Sequence, residues 1–222
     1  MKKPKLIVIA GGGRVGSHLA EILTKKGKDV VLIDKDPQVC EKLAERLNAL
    51  ILCGDATERE TLEEAKIKEA DVFVGATGND NDNIVACQLA KNAYGVPLVM
   101  ARVEDPEMAK MSKSFNIDLM VSPSHVASMV LENAISLPGT TSIFLSDTPM
   151  TAAEIRIPEG SKVVHKKLSE LAIPRGCIIG MIYRDGELVV PRGETVLEAG
   201  DIVAIMGKEE AIAKLVDQIR GR

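Results

Sequence analysis

The chain is predicted to be an α/β protein, with a doubly wound parallel sheet followed by a smaller α+β domain. Three observations carry that expectation. Short apolar runs suited to strands buried on both faces alternate with helical patterns through the first half of the chain. A glycine-rich turn joins the first such run to the first helix. After a stretch rich in Pro, Gly, Ser and Thr, the alternation gives way to hairpin signals, so a second unit begins there.

The first run is Lys5-Leu6-Ile7-Val8-Ile9-Ala10, and Gly11, Gly13 and Gly16 follow it as G-x-G-x-x-G. In that pattern the first glycine allows the tight turn, and the second lets a pyrophosphate approach the backbone. The third lets helix pack close to strand. Val15, Leu19, Ile22 and Leu23 are the expected buried stripe of the helix, which stops near Gly27. Asp29 to Ile33 forms the next strand, and Asp34 ends it. A carboxylate there can accept hydrogen bonds from a ribose diol. It also disfavours a ribose 2′-phosphate, although the adjacent Lys35 weakens that repulsion. Glycine turns also serve plain geometry, but strand, glycines, helix, strand and acid in this order favour a Rossmann-like nucleotide site.

Asp36 can cap a helix whose first residue is Pro37, with Val39, Leu43 and Leu47 facing inward. Ala49 to Cys53 is the third strand and runs into Gly54-Asp55-Ala56-Thr57. Thr57 and Glu60 have capping-box spacing for a short helix. Asp71 to Gly75 is the fourth strand, ending in Ala76-Thr77-Gly78-Asn79-Asp80, and the next helix reaches about Ala93. Pro97 to Ala101 is the fifth strand, with Arg102 just past it; Asp105-Pro106 opens a helix, and Asp118 to Val121 is the sixth strand. Ligands of such sheets bind outside the carboxyl ends of the strands, where the glycine loop, Asp34, Gly54-Asp55, Thr77-Gly78 and Arg102 all fall.

Ser122-Pro123 starts a further helix with an apolar stripe of Val126, Met129, Val130 and Leu137. Residues 137–150 read as a linker. Residues 151–222 then form the second unit. Strands there are expected at Ala153 to Ile157, at Cys177 to Tyr183 and Glu187 to Val190 around Asp185-Gly186, and at Ile202 to Met206. A final helix carries Ile212, Leu215, Val216 and Ile219. The expected organisation is therefore 1–136, 137–150 and 151–222.

The 222 residues are 45% hydrophobic and 27% charged, with a formal net charge of −4. That balance offers no electrostatic case for nucleic acid, and with 2% aromatic content there is no stacking platform for bases. No apolar run approaches a membrane span, and Met1 to Pro4 lead straight into the first strand rather than a signal peptide. Cys40, Cys53, Cys87 and Cys177 form no C-x-x-C pair and read as reduced core residues of a cytosolic protein. His18, His125 and His165 have no placed carboxylate or serine partner in sequence, and neither metal-ligand spacing nor G-x-S-x-G occurs. A Rossmann-type domain without evident catalytic machinery points to a nucleotide sensor, not an enzyme.

Gly11 to Gly16 with Arg14, Val31 to Asp36, Gly54-Asp55-Ala56-Thr57, the Ala70-Asp71 strand start, and Ala76 to Asp80 with Asn83 recur in this order. Together they resemble the RCK (KTN, TrkA-N) domain of potassium-transport regulators. Asp185-Gly186, Val190-Pro191-Arg192-Gly193, Gly200-Asp201 and Gly207 resemble the companion RCK C-terminal (TrkA-C) domain. The resemblance covers essentially the whole chain. It implies a cytoplasmic gating subunit of the Trk/Ktr type, held at the inner face of the membrane by an integral-membrane potassium channel or transporter. It further implies a homodimer through a crossover helix at Ser122 to Ser136, assembling to an octameric ring, and NAD(H) or ATP/ADP at the glycine loop. By the same resemblance, Gly11, Gly13, Val15 and Gly16 belong to the nucleotide-binding loop, and Arg14 inside it can meet a terminal phosphate. Asp34 holds the adenosine ribose, Asp55 and Ala56 line the adenine, Thr77 lies near the phosphates, Lys35, Thr57 and Gly78 belong to the same cofactor site, and Arg102 lies near ligand or dimer partner. For Arg14 a solvated helix start and for Arg102 a salt bridge are the alternatives. Many relatives have a bulkier residue at Gly12, and three consecutive glycines are expected to loosen the turn. In some relatives the second domain binds a cyclic dinucleotide, which no residue pattern here decides. The competing readings are a regulator of another ion transporter or antiporter, and a small NAD-dependent dehydrogenase.

Overall fold

The computed structural model describes residues 4–136, 140–144 and 151–221. The chain divides into two compact units between Ala127 and Ser128. In the first, six parallel strands form one sheet: β1 (Leu6–Ala10), β2 (Asp29–Asp34), β3 (Leu50–Cys53), β4 (Val72–Gly75), β5 (Leu98–Arg102) and β6 (Leu119–Val121). Their order is β3-β2-β1-β4-β5-β6. The chain winds outward from β1 to β3, then returns to the other side of β1, and that reversal opens a crevice at the carboxyl ends of the strands.

Alternation along each strand feeds two cores. On one face Ile7, Ile9, Val30 and Leu32 meet Ala20 of α1 (Arg14–Lys25) and Leu43 of α2 (Pro37–Arg46). On the other, Val8, Val31, Ile33 and Phe73 meet Leu62 of α3 (Arg59–Glu64) and Ala86 and Cys87 of α4 (Asp80–Gln88). Ile9, Leu32 and Phe73 are fully buried, each contributing roughly 1.5–3 kcal/mol of apolar transfer free energy. The expected doubly wound parallel sheet is present. A short α5 (Pro106–Ala109) follows β5, and α6 (Pro123–Ser136) runs across the boundary between the units.

Helix starts follow local chemistry in part. Asp36 accepts the Gln38 N–H at 2.8 Å with Pro37 at the first helical position, as the sequence predicts. The capping box expected at Thr57 does not form. The Thr57 hydroxyl and N–H both donate to Asp55 Oδ1, at 2.7 and 2.8 Å, so Thr57 closes an Asx turn and α3 begins at Arg59. In α1, Val15 and Ile22 are more than a third exposed, against expectation. Leu19 and Leu23 of the expected stripe pack against the core, but the most buried residues of the helix are Gly16, Ser17 and Ala20, because at Gly16 the helix meets the Gly11 carbonyl too closely for any side chain.

The second unit carries an antiparallel sheet of β7 (Thr140–Phe144), β8 (Thr151–Arg156), β9 (Cys177–Arg184), β10 (Glu187–Val189) and β11 (Ile202–Gly207), in the order β10-β9-β11-β8-β7. Residues read as linker therefore include an edge strand, since Thr140–Phe144 is β-prone and pairs with β8; the rest of 137–150 lies outside the described residues, as does Leu137. The β9–β10 turn places Asp185 at φ 50° and Gly186 at φ 89°, the conformation predicted by Asp-Gly. Ile212, Leu215, Val216 and Ile219 of α7 (Glu209–Arg220) pack into the core with Ile182, Val203 and Ile205.

A buried ion pair fixes the approach to β11. Asp201, 1% exposed, accepts two hydrogen bonds from Arg184, from Nε at 2.7 Å and Nη2 at 2.8 Å, and one from the Glu198 N–H at 2.9 Å. Arg184 also pairs with Glu198 and donates to the Val196 carbonyl at 2.8 Å. Burial alone would raise the Asp201 carboxyl, but the hydrogen bonds and charge of Arg184, with the Glu198 N–H, outweigh it and hold it below the usual carboxylate range. Its stabilising contribution is therefore complete above the unfolded-state pKa of about 4 and disappears as pH falls through the lower folded-state value. Asp201→Asn is expected to cost about 2 kcal/mol near neutral pH, because the guanidinium keeps only Glu198 as a charge partner and loses its charge-assisted bonds to the buried carboxylate. Urea unfolding of both proteins from about pH 7 to about pH 3 should show the gap narrowing with acid.

Candidate functional site

Immediately after β1 the chain makes its tightest turn. Gly11 adopts φ 106°, and its N–H donates to the Ile33 carbonyl at 2.7 Å. A Cβ there would lie 2.6 Å from the Thr77 nitrogen, so β1 and β4 can meet at this point only through glycine. The Gly12 N–H donates to Asp34 Oδ2 at 2.6 Å. A side chain at Gly12 would meet Leu43 and Val39 at 2.6 and 2.7 Å. The run of three glycines is thus tied to the end of β2 rather than loosened, because α2 occupies the space that a bulkier residue would need. Gly13 is exposed, and a Cβ there would meet nothing within 4 Å. Gly16 packs directly beneath the Gly11 carbonyl, which a Cβ would strike.

Asp34 closes the far side of this turn. Its second oxygen accepts the Asp36 N–H at 2.9 Å, so both carboxylate oxygens are oriented by backbone donors while keeping free lone pairs. Asp55 is fixed by Thr57, whose two hydrogen bonds hold its carboxyl below the usual range and therefore ionised. Opposite, the side-chain carbonyl of the fully buried Asn83 accepts the Thr77 N–H and hydroxyl, each at 2.8 Å. Its amide donates to the carbonyls of Thr77 at 3.1 Å and Arg102 at 2.9 Å. One residue of α4 thereby clamps the tips of β4 and β5.

A cavity of about 290 Å³ opens between these loops. Of the residues expected to bind a ligand, it is lined by Gly11, Gly13, Asp34, Lys35, Asp55, Ala56, Thr57, Thr77 and Gly78. Arg14 and Val15 are exposed on the first turn of α1 outside the lining, and Gly16 lies buried below it. Arg102 is scaffold in this state: its Nη1 donates to the Thr77 carbonyl at 2.9 Å and its Nη2 pairs with Glu104, while Nε is buried without a partner. Ile33, Asp36, Val39, Gly54 and Asp82 also line the cavity. Asp82, in the first turn of α4, faces Lys35 at 3.8 Å across it. Sequence spacing gave no sign of that pair, which exists because the loops after β2 and β4 flank β1 on opposite sides.

The chemistry of the cavity is divided. Asp34, Asp36, Asp55 and Asp82 face one cation, Lys35, so hydrogen-bond donors are welcome there and further anionic charge is not. The apolar surfaces of Ile33, Val39 and Ala56 offer a slot for a flat ring. At the Gly13 end the first turn of α1 directs unpaired N–H groups outward, the environment that suits a phosphate. Among the described residues no group of three His, Cys, Asp or Glu side chains could hold a metal ion. No helix there is long and apolar enough to cross a membrane.

A Rossmann-ordered sheet with a glycine turn and an acid-lined crevice, continued by a small antiparallel unit, defines a two-domain protein of the nucleotide-binding class. Residues 7–123 match the TrkA-N domain and residues 152–220 the TrkA-C domain, and the chain belongs to this TrkA family. It is 38% identical to the Trk system potassium uptake protein TrkA homolog of Methanothermobacter thermautotrophicus, covering 97% of this chain and 99% of that one. It is 32% identical to the Pyrococcus abyssi homolog, covering 93% of each. The homolog of Archaeoglobus fulgidus is 36% identical, and this chain spans 48% of its length. Among solved structures, the GsuK channel superposes with TM-score 0.68 at 19% identity, over 98% of this chain and 40% of that one, a likeness of fold. GsuK bound to ADP gives TM-score 0.51 at 28% identity over 59% of this chain and 34% of that one.

Two glycines of the turn separate folding from occupancy. Gly16→Ala is expected to lower stability by about 3 kcal/mol or more, because backbone must move to admit the methyl group. Gly13→Ala is expected to melt within a few degrees of the unchanged protein. Thermal unfolding followed by circular dichroism compares them directly.

Proposed function

We propose that the chain is a nucleotide-sensing regulatory subunit that gates potassium transport by a membrane partner. The observation that carries this reading is the convergence of the glycine turn, Asp34, Asp55 and Thr77 on one cavity at the strand reversal. Its division into an acidic, apolar-walled end and an open helix N-terminus matches an adenosine joined to phosphates. In the proposed mode Asp34 accepts from the ribose hydroxyls, and Asp55 accepts from an amino group on the base held against Ala56 and Val39. Gly13 and the start of α1 receive phosphate, and Arg14, exposed beside them, reaches a terminal phosphate. The relatives named for potassium uptake and the channel structures titled with NAD and with ADP support both the ligand class, NAD(H) or ATP/ADP, and the transport role.

The same reading takes residues 1–136 as the sensing domain and 151–222 as its companion, at the cytoplasmic side of the membrane. Val126, Val130, Leu131 and Ile135 leave exposed apolar surface on α6, which suits a dimer formed through this helix and a ring built from such dimers. Gating then arises from linkage. Two nucleotides shift a dimer between two shapes only by their difference in affinity for those shapes, and the partner is pulled by that difference. None of His18, His125 and His165, the histidines that could serve a dehydrogenase as acid or base, lines the cavity.

Calorimetric titration with NAD⁺, NADH, ATP, ADP and AMP tests the site. At least one is expected to bind, with Asp34→Ala weakening it about ten-fold or more, and Gly13→Ala abolishing binding in a folded protein. A 2′-phosphorylated dinucleotide should bind more weakly than its parent. Absence of binding by every nucleotide would remove the sensor reading. Copurification of a membrane potassium transporter with the tagged chain tests the partner.

A further inference from the structure

Two of the four cysteines lie beside the cavity and beside each other. Cys40, on α2, is buried, and its Sγ donates to the Asp34 carbonyl at 3.2 Å and lies 3.8 Å from the Leu52 carbonyl. Cys53 ends β3 directly opposite Asp34 in the strand register, next in the chain to Leu52, so the two carbonyls that Cys40 Sγ approaches belong to its strand partner and its chain neighbour. Unlike the other three, Cys53 is exposed, contrary to the reading of all four as core residues. Burial, then the Cys53 thiol, push the Cys40 thiol up to about 11, which keeps it protonated. Val39 and Gly54, the chain neighbours of the pair, both line the cavity.

We propose that Cys40 and Cys53 form a redox-active dithiol whose disulfide clamps the wall of the nucleotide cavity. Cys53, exposed where Cys40 is buried, is the thiol a hydroperoxide can reach. Its sulfur attacks the peroxide oxygen, giving a sulfenic acid and one water. The Cys40 sulfur then displaces that hydroxyl, its proton leaving with the oxygen as a second water. Two thiols have lost two electrons and two protons, and one peroxide has become two waters. A sulfur–sulfur bond of about 2.05 Å is much shorter than a thiol–thiol contact, so its closure draws α2 and the β3 tip together. Val39 and Gly54 move with them and narrow the slot between Val39 and Ala56. This second step rests on the nucleotide reading above; formation of the bond does not.

Treatment of the purified full chain with hydrogen peroxide, followed by non-reducing tryptic mass mapping, tests the pair, because trypsin cuts at Lys42 and Arg46 between the two cysteines. The expected result is a Cys40–Cys53 linked peptide, two mass units below the sum of its parts, absent from Cys53→Ser and Cys40→Ala and removed by dithiothreitol. Oxidation is expected to weaken binding of the tightest nucleotide about ten-fold, and the same nucleotide at saturation to slow oxidation. Sulfenic or sulfinic acid at Cys53 with no linked peptide overturns the proposal, as does linkage through Cys87 or Cys177. A linked peptide with unchanged nucleotide affinity overturns the clamp. If the reduced chain binds no nucleotide, the sensor reading fails, and the peptide map still decides the thiol pair.

Discussion

The architecture of the first unit depends on the contact between Gly16 and the carbonyl of Gly11. With no side chain at Gly16, the first helix descends onto the end of β1, and that proximity constrains every neighbouring group. The helix face toward the sheet must be small, so Ser17 and Ala20 fill it while Val15 turns outward. The Gly11 backbone is pressed against β4, where again only hydrogen fits. The Gly12 N–H is then left pointing at β2, where Asp34 accepts it. Three neighbouring strands are registered at their carboxyl ends by one turn that tolerates almost no side chains.

Around that turn the site divides its tasks. Groups that face the cavity are kept oriented by hydrogen bonds from neighbouring residues. Asp34 is held by the N–H groups of Gly12 and Asp36, and Asp55 by Thr57. Thr77 is held by Asn83, which satisfies all of its own hydrogen-bonding capacity while buried. Such a scaffold requires little reorganisation of its walls to accept a ligand, which favours affinity. Lys35, which faces Asp82 across the opening, and Arg14 are exposed instead.

The second unit is organised differently. Its sheet has no cavity-forming reversal, and Arg184 and Asp201 secure the approach to β11 through a buried charge pair. The family resemblance marked Gly200-Asp201 in the sequence, but only the fold brings Arg184 to that carboxylate.

The sequence by itself determined the strand–helix alternation, the glycine turn, the Asp36-Pro37 helix start and the Asp185-Gly186 hairpin. Each is written in residues adjacent or periodic in the chain, where local sterics and burial decide. That Gly11, Gly13, Asp34, Asp55 and Thr77 come together at one edge was legible for the same reason, since parallel strands bring all their carboxyl ends there. Tertiary structure alone decided the rest. Thr57 chose Asp55 over a helix cap, Val15 gave way to Ala20, and Thr140–Phe144 found a partner strand where composition suggested a linker. Arg102 became a brace for Thr77, Asp82 came to face Lys35, and Cys40 came to rest against the Asp34 carbonyl, the strand partner of Cys53. Those outcomes turn on which groups meet across the fold, where hydrogen-bond competition and available volume, rather than spacing along the chain, select the partner.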